Sequence, residues 1–252
     1  MLSFKDLENR IVEHARKVLE EANELKKSMI SPIALSTIYK RKWEAEVRST
    51  VSEFIGEKVT LLGKDSGLIK GEGDWICICD LLDGSKNFLA DTKFYAYSLA
   101  LARKGEISYS IVIDLDKMWI YRAEKGRGST LNGKDLKKIA SNRSYRYEII
   151  TSNVTIPSPE SITMKCSSLE LCALAQGSAW VALGDTWNID IAAGYLITLE
   201  SGNIFVDWNF KPLNLPVNSY SRIMYIAGSK KSLAEFIKKY RSELNSLKSK
   251  LT

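Results

Sequence analysis

The apolar run Trp75–Cys79 leads straight into Asp80-Leu81-Leu82-Asp83-Gly84-Ser85-Lys86-Asn87-Phe88. A carboxylate leaving a buried strand is costly unless it is paired or bound to a cation. Two carboxylates three residues apart across a tight turn can converge on one hard cation. Gly84 lets the backbone approach an anion closely, and the amides of Gly84 and Ser85 can then cradle a phosphate at the start of a helix. A plain polar turn between strand and loop uses the same residue types, so this pattern alone leaves both readings open. A second stretch, Trp187-Asn188-Ile189-Asp190-Ile191-Ala192-Ala193-Gly194, places another acid at the head of an apolar, small-residue helix. There the alternative is an ordinary helix cap.

The elements that must position these acids follow from periodicity. Leu7, Ile11, Ala15, Val18, Ala22 and Leu25 recur every three or four residues and predict an amphipathic helix over 5–27. His14 lies on it among charged neighbours and reads as an ordinary helix residue. Ser31-Pro32 starts a new segment, and 42–56 predicts a second helix. Strand-like runs follow at Val59–Leu62, Trp75–Cys79, Tyr95–Ala102, Ile107–Ile113 and Met118–Arg122, the last two joined as a hairpin by a turn at Asp114–Lys117. Gly126, Gly128 and Asn132-Gly133 mark further turns. The later chain predicts a strand at 146–151, a helix at 167–177 and a strand at Val181–Leu183. A helix over Asp190–Glu200 is closed by Gly202, then come strands at Phe205–Val206 and Ile223–Ala227. One last helix spans 230–249, its lysine-rich outer face solvated. Helices and mixed strands without repeat or linker suggest a layered α/β or α+β body.

Composition narrows the chemistry. The 252 residues are 45% hydrophobic and 26% charged, as in a soluble globular protein with a sizeable core. No apolar run approaches the roughly 18–20 residues needed to cross a bilayer. The N-terminus carries acids and no apolar signal region, so no secretory leader is expected. The single histidine, His14, excludes zinc sites built on two histidines and argues against Ser-His-Asp or Cys-His catalysis. Cys77 and Cys79 share one strand face, and no pair has CxxC spacing, so Cys77, Cys79, Cys166 and Cys172 are expected as buried thiols in a reducing cytoplasm. Gln176 is the only glutamine among many Lys, Glu and Ile residues, a composition that points to a thermophile. The net charge of +6 admits an acidic partner, but much of the excess lies in the tail and no nucleic-acid motif accompanies it.

Taken together, the two acid stretches resemble the inositol monophosphatase family, magnesium-dependent and lithium-sensitive sugar phosphatases that include archaeal enzymes cleaving fructose 1,6-bisphosphate. Asp80-Leu81-Leu82-Asp83-Gly84-Ser85-Lys86-Asn87-Phe88 is similar to the family's D-P-I/L-D-G-T/S-x-N-F, with Leu81 replacing the usual proline. Asp190-Ile191-Ala192-Ala193-Gly194 is similar to its later D-x-A-A-G. Tyr97–Ala100, the Gly126–Gly133 turns and the Ser168–Gly177 helix resemble further family segments in the same order. The resemblance implies a layered α-β-α-β-α sugar-phosphatase fold over 1–252, with lobes of about 1–140 and 141–252. It also implies a homodimer and a small phosphorylated metabolite as substrate; the lack of a long apolar run argues against a membrane partner, and nothing beyond charge supports a nucleic-acid partner. By the same resemblance, Asp80, Asp83 and Asp190 hold magnesium, the Leu82 carbonyl contacts the first ion, and Gly84 and Ser85 bind phosphate. Asp80, Asp83 and Ser85 then carry the catalysis, with the Ser85 hydroxyl orienting a metal-activated water for in-line attack.

The chain departs from this pattern at the other metal ligands. Lys64 stands where the family has the first glutamate of its G/S-E-E motif, and Asp65 where it has the second. Upstream, Ala34 and Lys40 replace two family acids. Where the archaeal bisphosphatases carry an arginine, Leu183 and Trp187 stand instead. An ammonium near a cation site opposes it by roughly 4 kcal/mol per pair of unit charges about 4 Å apart at intermediate dielectric. The first and third ion positions should therefore be weakened, leaving one magnesium ion rather than three. The Lys64 ammonium is expected to reach Asp80 or Asp83, unless Asp65 or Glu72 has moved into the vacant ligand place. Three readings stay open: a phosphomonoesterase with a reduced metal set, a catalytically silent member that binds a phosphorylated ligand or a protein, and a basic nucleic-acid binder.

Overall fold

The computed structural model of the chain describes residues 4–28, 31, 35–151, 154, 156, 158 and 160–251. Helix α1 (Phe4–Lys27) buries Phe4, Leu7, Ile11, Ala15, Val18 and Ala22, the face set by their spacing. A wide π-helical turn at Leu35–Lys40 runs directly into α2 (Arg41–Ile55), which buries Trp43, Val47 and Val51.

Eight strands form the first sheet: β1 (Thr60–Gly63), β2 (Gly67–Ile69), β3 (Trp75–Asp83), β4 (Ala96–Arg103), β5 (Glu106–Asp114), β6 (Trp119–Glu124), β7 (Ser129–Leu131) and β8 (Lys134–Asp135). Their order is β2-β1-β3-β4-β5-β6-β7-β8. Neighbours are antiparallel except β1 and β3, which run parallel. A short helix, α3 (Ser85–Leu89), follows β3, and α4 (Leu136–Ser141) follows β8. The second sheet holds β9 (Tyr147–Thr151), β10 (Ser161–Thr163), β11 (Ala179–Trp187), β12 (Ile204–Val206) and β13 (Arg222–Gly228), in the order β10-β9-β11-β13-β12. Helices α5 (Ser167–Ala175), α6 (Asn188–Glu200), α7 (Lys230–Lys239) and α8 (Arg241–Leu251) complete the chain.

The alternation of side chains along the strands sorts the core into layers. Leu61, Cys77, Cys79, Leu99 and Leu101 face α1 and α2 in one cluster. Leu62, Ile78, Ala100 and Ala102 face the other way, onto α5 and α6, which also pack against Ala182, Tyr225 and Ala227 of the second sheet. Ile149, Val181, Leu183 and Ile226 lie on the far face of that sheet, against Leu233 and Phe236 of α7 and Leu244 of α8. The architecture is therefore α-β-α-β-α. Helices α5 and α6 sit between two sheets, which is why both are apolar on every side.

Three sequence expectations change in detail. The helix expected over 230–249 is two helices. Tyr240 leaves helical geometry (φ −113°, ψ 24°), and its hydroxyl donates to Glu148 of β9 at 2.7 Å. The helix expected from Asp190 begins at Asn188, so Asp190 is its third residue rather than its cap. Strands β2, β7, β8 and β10 and helix α3 are too short to carry a readable period. All four cysteines are buried free thiols, and His14 is half-enclosed against Tyr97 and Glu46.

Candidate active site

The carboxylates owe their placement to an irregularity in β3. Side chains three apart on a regular strand point to opposite faces. Here Asp80 pairs with Ser98 and Asp83 with Ala96 on β4, so three steps on β3 oppose two on its neighbour. This bulge, a device that re-aims side chains, lets Asp80 and Asp83 line the same cavity. Gly84 follows at φ 75°, and a Cβ there would stand 2.4 Å from the Phe94 carbonyl oxygen, so only glycine fits the turn. Asn87 of α3 fixes the turn by donating to the carbonyls of Phe94 at 2.8 Å and Met164 at 2.7 Å.

The cavity has a volume of about 590 Å³ and is lined by Lys40, Lys64, Asp65, Asp80, Leu82, Asp83, Gly84, Ser85 and Asp190, among others. Asp80 and Asp190 share it although 110 residues separate them. Helix α6 brings Asp190 in from the middle layer. Its Oδ2 accepts from Thr186 Oγ1 at 2.6 Å and from the Trp187 amide at 3.3 Å. Asp83 Oδ2 accepts from the Ser168 amide at 2.8 Å and the Cys166 thiol at 3.3 Å, both at the start of α5. Ala34 lies outside the described residues. Glu72 is not in this cavity: its exposed carboxylate bonds Lys58. A cavity of the same volume near Arg146 and Trp180 shares no residue with this one, and its Glu148 and Glu160 are held by Lys239, Tyr240 and Tyr145.

The lysines divide the acids between them. Lys40, 4% exposed, is the last residue of the π-helical turn. Its Nζ lies 3.0 Å from Asp65 Oδ2 and 3.1 Å from Asp80 Oδ1, and 3.4 Å from the Leu82 carbonyl oxygen. Burial works against this ammonium, but Asp80 and Asp65 outweigh it and hold its pKa above the ordinary lysine value. Lys64 follows β1 and reaches across to Asp190 Oδ1 at 2.5 Å. The sequence expectation paired Lys64 with Asp80 or Asp83. Lys64 meets Asp190 instead, because parallel pairing of β1 with β3 leaves it donating its amide to the Cys79 carbonyl, and its side chain extends toward α6. Asp65 turns back onto Lys40 because Glu44 of α2 accepts from the amides of Asp65 at 3.0 Å and Ser66 at 2.7 Å.

Among the described residues no lysine pairs with Asp83. Burial, then the charges of Asp80 and Asp190, push its carboxyl up to about 7. Behind it, burial and the charge of Asp83 push Glu170 up to about 8. Sequence reasoning missed Thr186, Cys166 and Ser168 as partners of these acids. It also missed Lys86 and Lys165 at the cavity wall, where Lys165 holds a left-handed φ of 56°. Lys86 was legible, as the variable position inside the first acid stretch. Lys165 gave no signal, because its place depends on how the loop before α5 folds over α3.

A magnesium ion would take oxygens at about 2.1 Å in near-octahedral order. As arranged, these residues do not fit that set. Asp80 Oδ1 and the Leu82 carbonyl already accept from Lys40, and both oxygens of Asp190 are engaged. Among the described residues no group of three or more His, Cys, Asp or Glu side chains is arranged to hold a metal.

The family model described as the inositol monophosphatase family matches residues 11–246. The fructose-1,6-bisphosphatase/inositol-1-monophosphatase of Methanocaldococcus jannaschii is 25% identical over 218 residues, covering 77% of this chain and 83% of that protein. Human inositol monophosphatase 1 is 27% identical over 250 residues, covering 88% and 86%. The solved structure of inositol monophosphatase II from Staphylococcus aureus superposes with a TM-score of 0.74 at 19% identity, covering 93% and 94%. A family match over nearly the whole length, on the same layered fold, shows that the chain belongs to the inositol monophosphatase family.

Proposed function

We propose that this cavity binds a small phosphorylated sugar or polyol, and that the chain hydrolyses such esters far more slowly than relatives with a full set of metal-binding acids. The observation that carries this reading is the buried Lys40 ammonium between Asp65, Asp80 and the Leu82 carbonyl. Gly84 and Ser85 line the same cavity and supply the turn on which the phosphate would sit. Asp80, Asp83 and Ser85 remain the residues to carry any hydrolysis, and Asp190 and Asp65 are the further acids at hand. One magnesium ion at Asp80, Asp83 and Asp190 would have to displace Lys64 from Asp190, so no catalytic step is derived through it. Turnover of inositol 1-phosphate and p-nitrophenyl phosphate across a magnesium titration tests the reading. Binding with slow turnover is expected, and vigorous turnover with tight binding of two or more ions would overturn it.

The family resemblance also supports a homodimer. Light scattering should give twice the chain mass of 28.3 kDa, and a monomer mass would refute it. No described helix is long and apolar enough to cross a membrane. Four buried free thiols suit a reducing cytoplasm, and we place the protein there.

A further inference from the structure

We propose that Lys40 and Lys64 are resident cations, tethered ammonium groups that make this cavity a phosphate site needing no divalent ion. The inference rests on the phosphate-binding reading above and goes beyond it, since it assigns the lysines a binding role rather than a blocking one. Lys40 Nζ touches three oxygens from one strand and one loop: Asp80 Oδ1 and the Leu82 carbonyl on β3, and Asp65 Oδ2 in the turn after β1. Those are hard oxygens of the kind a metal ion binds, three where an octahedral ion would take six, gathered around one positive charge instead. A buried lysine with a single acid would be an ordinary ion pair. One gathering two carboxylates and a carbonyl offsets one of two negative charges and so weakens the wall that would repel an incoming phosphate dianion.

Lys64 has the complementary position. Its side chain is 29% exposed while its partner Asp190 is 10% exposed, so the ammonium is reachable from the cavity while anchored at its floor. An ammonium has three donors. Asp190 Oδ1 takes one, and the others are available to phosphate oxygens entering over Gly84 and Ser85. Lys86 and Lys165 line the same cavity, and neither side chain has a hydrogen-bond or ion-pair partner among the described residues. A phosphate would thus meet fixed positive charge on several sides before any solution ion arrives.

Isothermal titration of inorganic phosphate into the wild-type protein, once with excess EDTA and once with excess Mg²⁺, tests this directly. Binding in EDTA that magnesium does not strengthen is expected. Lys64→Ala should weaken that metal-free binding by about tenfold or more, the loss of one charge-assisted hydrogen bond. Lys40→Ala should bind Mn²⁺ in the emptied oxygen cluster where the wild type does not, read by the electron paramagnetic resonance of the free ion. If Lys40→Ala fails to fold, Lys64→Ala and the wild-type pair still decide. Phosphate binding that requires Mg²⁺ would overturn the resident-cation inference and leave the phosphate-site reading standing. No phosphate binding under either condition would overturn both.

Discussion

Gly84 and the two lysines show how single residues set what this pocket can do. The Gly84 turn has φ 75° and no room for a Cβ beside the Phe94 carbonyl. Gly84→Ala should cost at least about 1–2 kcal/mol from left-handed backbone strain alone, with more from the contact, measured by chemical denaturation. It should also weaken phosphate binding, because relief of the clash moves the turn that carries Ser85. The lysines act by charge. Converting Lys40→Asp and Lys64→Glu together should create a magnesium site detectable by titration and raise phosphatase turnover, since Asp80, Asp83 and Asp190 still share one cavity. A double variant that binds magnesium without any gain in turnover would locate the deficit elsewhere, in substrate binding. These positions were readable in part. The acids, the glycine and the substituted lysines stand out in the sequence, but which ammonium meets which carboxylate does not.

At the scale of elements, the site depends on helices α5 and α6 meeting closely between the sheets. Gly194 of α6 faces Leu171 of α5, and a Cβ at Gly194 would come within 2.8 Å of two Leu171 side-chain carbons. The glycine that closes the second acid stretch is thus a packing residue. Gly194→Ala should cost about 1–3 kcal/mol by overpacking. It should also displace Asp190, one helical turn away, and so lower phosphate affinity. Stability from thermal unfolding and affinity from titration would fall together, and unchanged values would show that Leu171 has room to move. The bulge in β3 has a similar role. Its existence was invisible in the sequence, because Asp80 and Asp83 alternate poorly with any strand pattern and read as the start of a loop. The strand continues through them because β4 remains paired as far as Ala96.

Two buried carboxyls, Glu170 and Asp83, meet no lysine or arginine among the described residues, and this gives the stability of the whole molecule a pH dependence. Glu170 is pushed up to about 8 and Asp83 up to about 7, in each case by burial first. Both folded values lie above the ordinary carboxylate range. The unfolded chain therefore loses these protons at lower pH than the folded one. Their joint effect is absent in strong acid, and stability falls as pH rises from about 4 to about 8, flattening beyond. His14 has the opposite sign: burial holds its pKa below the usual histidine value, so it destabilises the fold as pH drops below about 6.5. Melting temperature should thus be higher near pH 6.5 than at pH 8.5 at constant ionic strength. Glu170→Gln should flatten the alkaline side of that curve. A profile that rises steadily to pH 8.5 would show that these carboxyls are ionised and compensated.

The sequence by itself determined the parts that local physics fixes. Spacing along α1 chose its buried face, the apolar, small-residue run after Asp190 marked a helix, and an acid-Gly-Ser run after an apolar strand marked a turn able to face an anion. It also showed that lysines stand where acids are expected. Only the tertiary structure decided the pairing. Lys40 meets Asp80 across 40 residues and Lys64 meets Asp190 across 126. Periodicity tells each element which side to bury but says nothing about its neighbour. That choice came from strand order, with β1 laid parallel beside β3, and from the sandwiching of α6 between the sheets, which carries Asp190 to the end of β3.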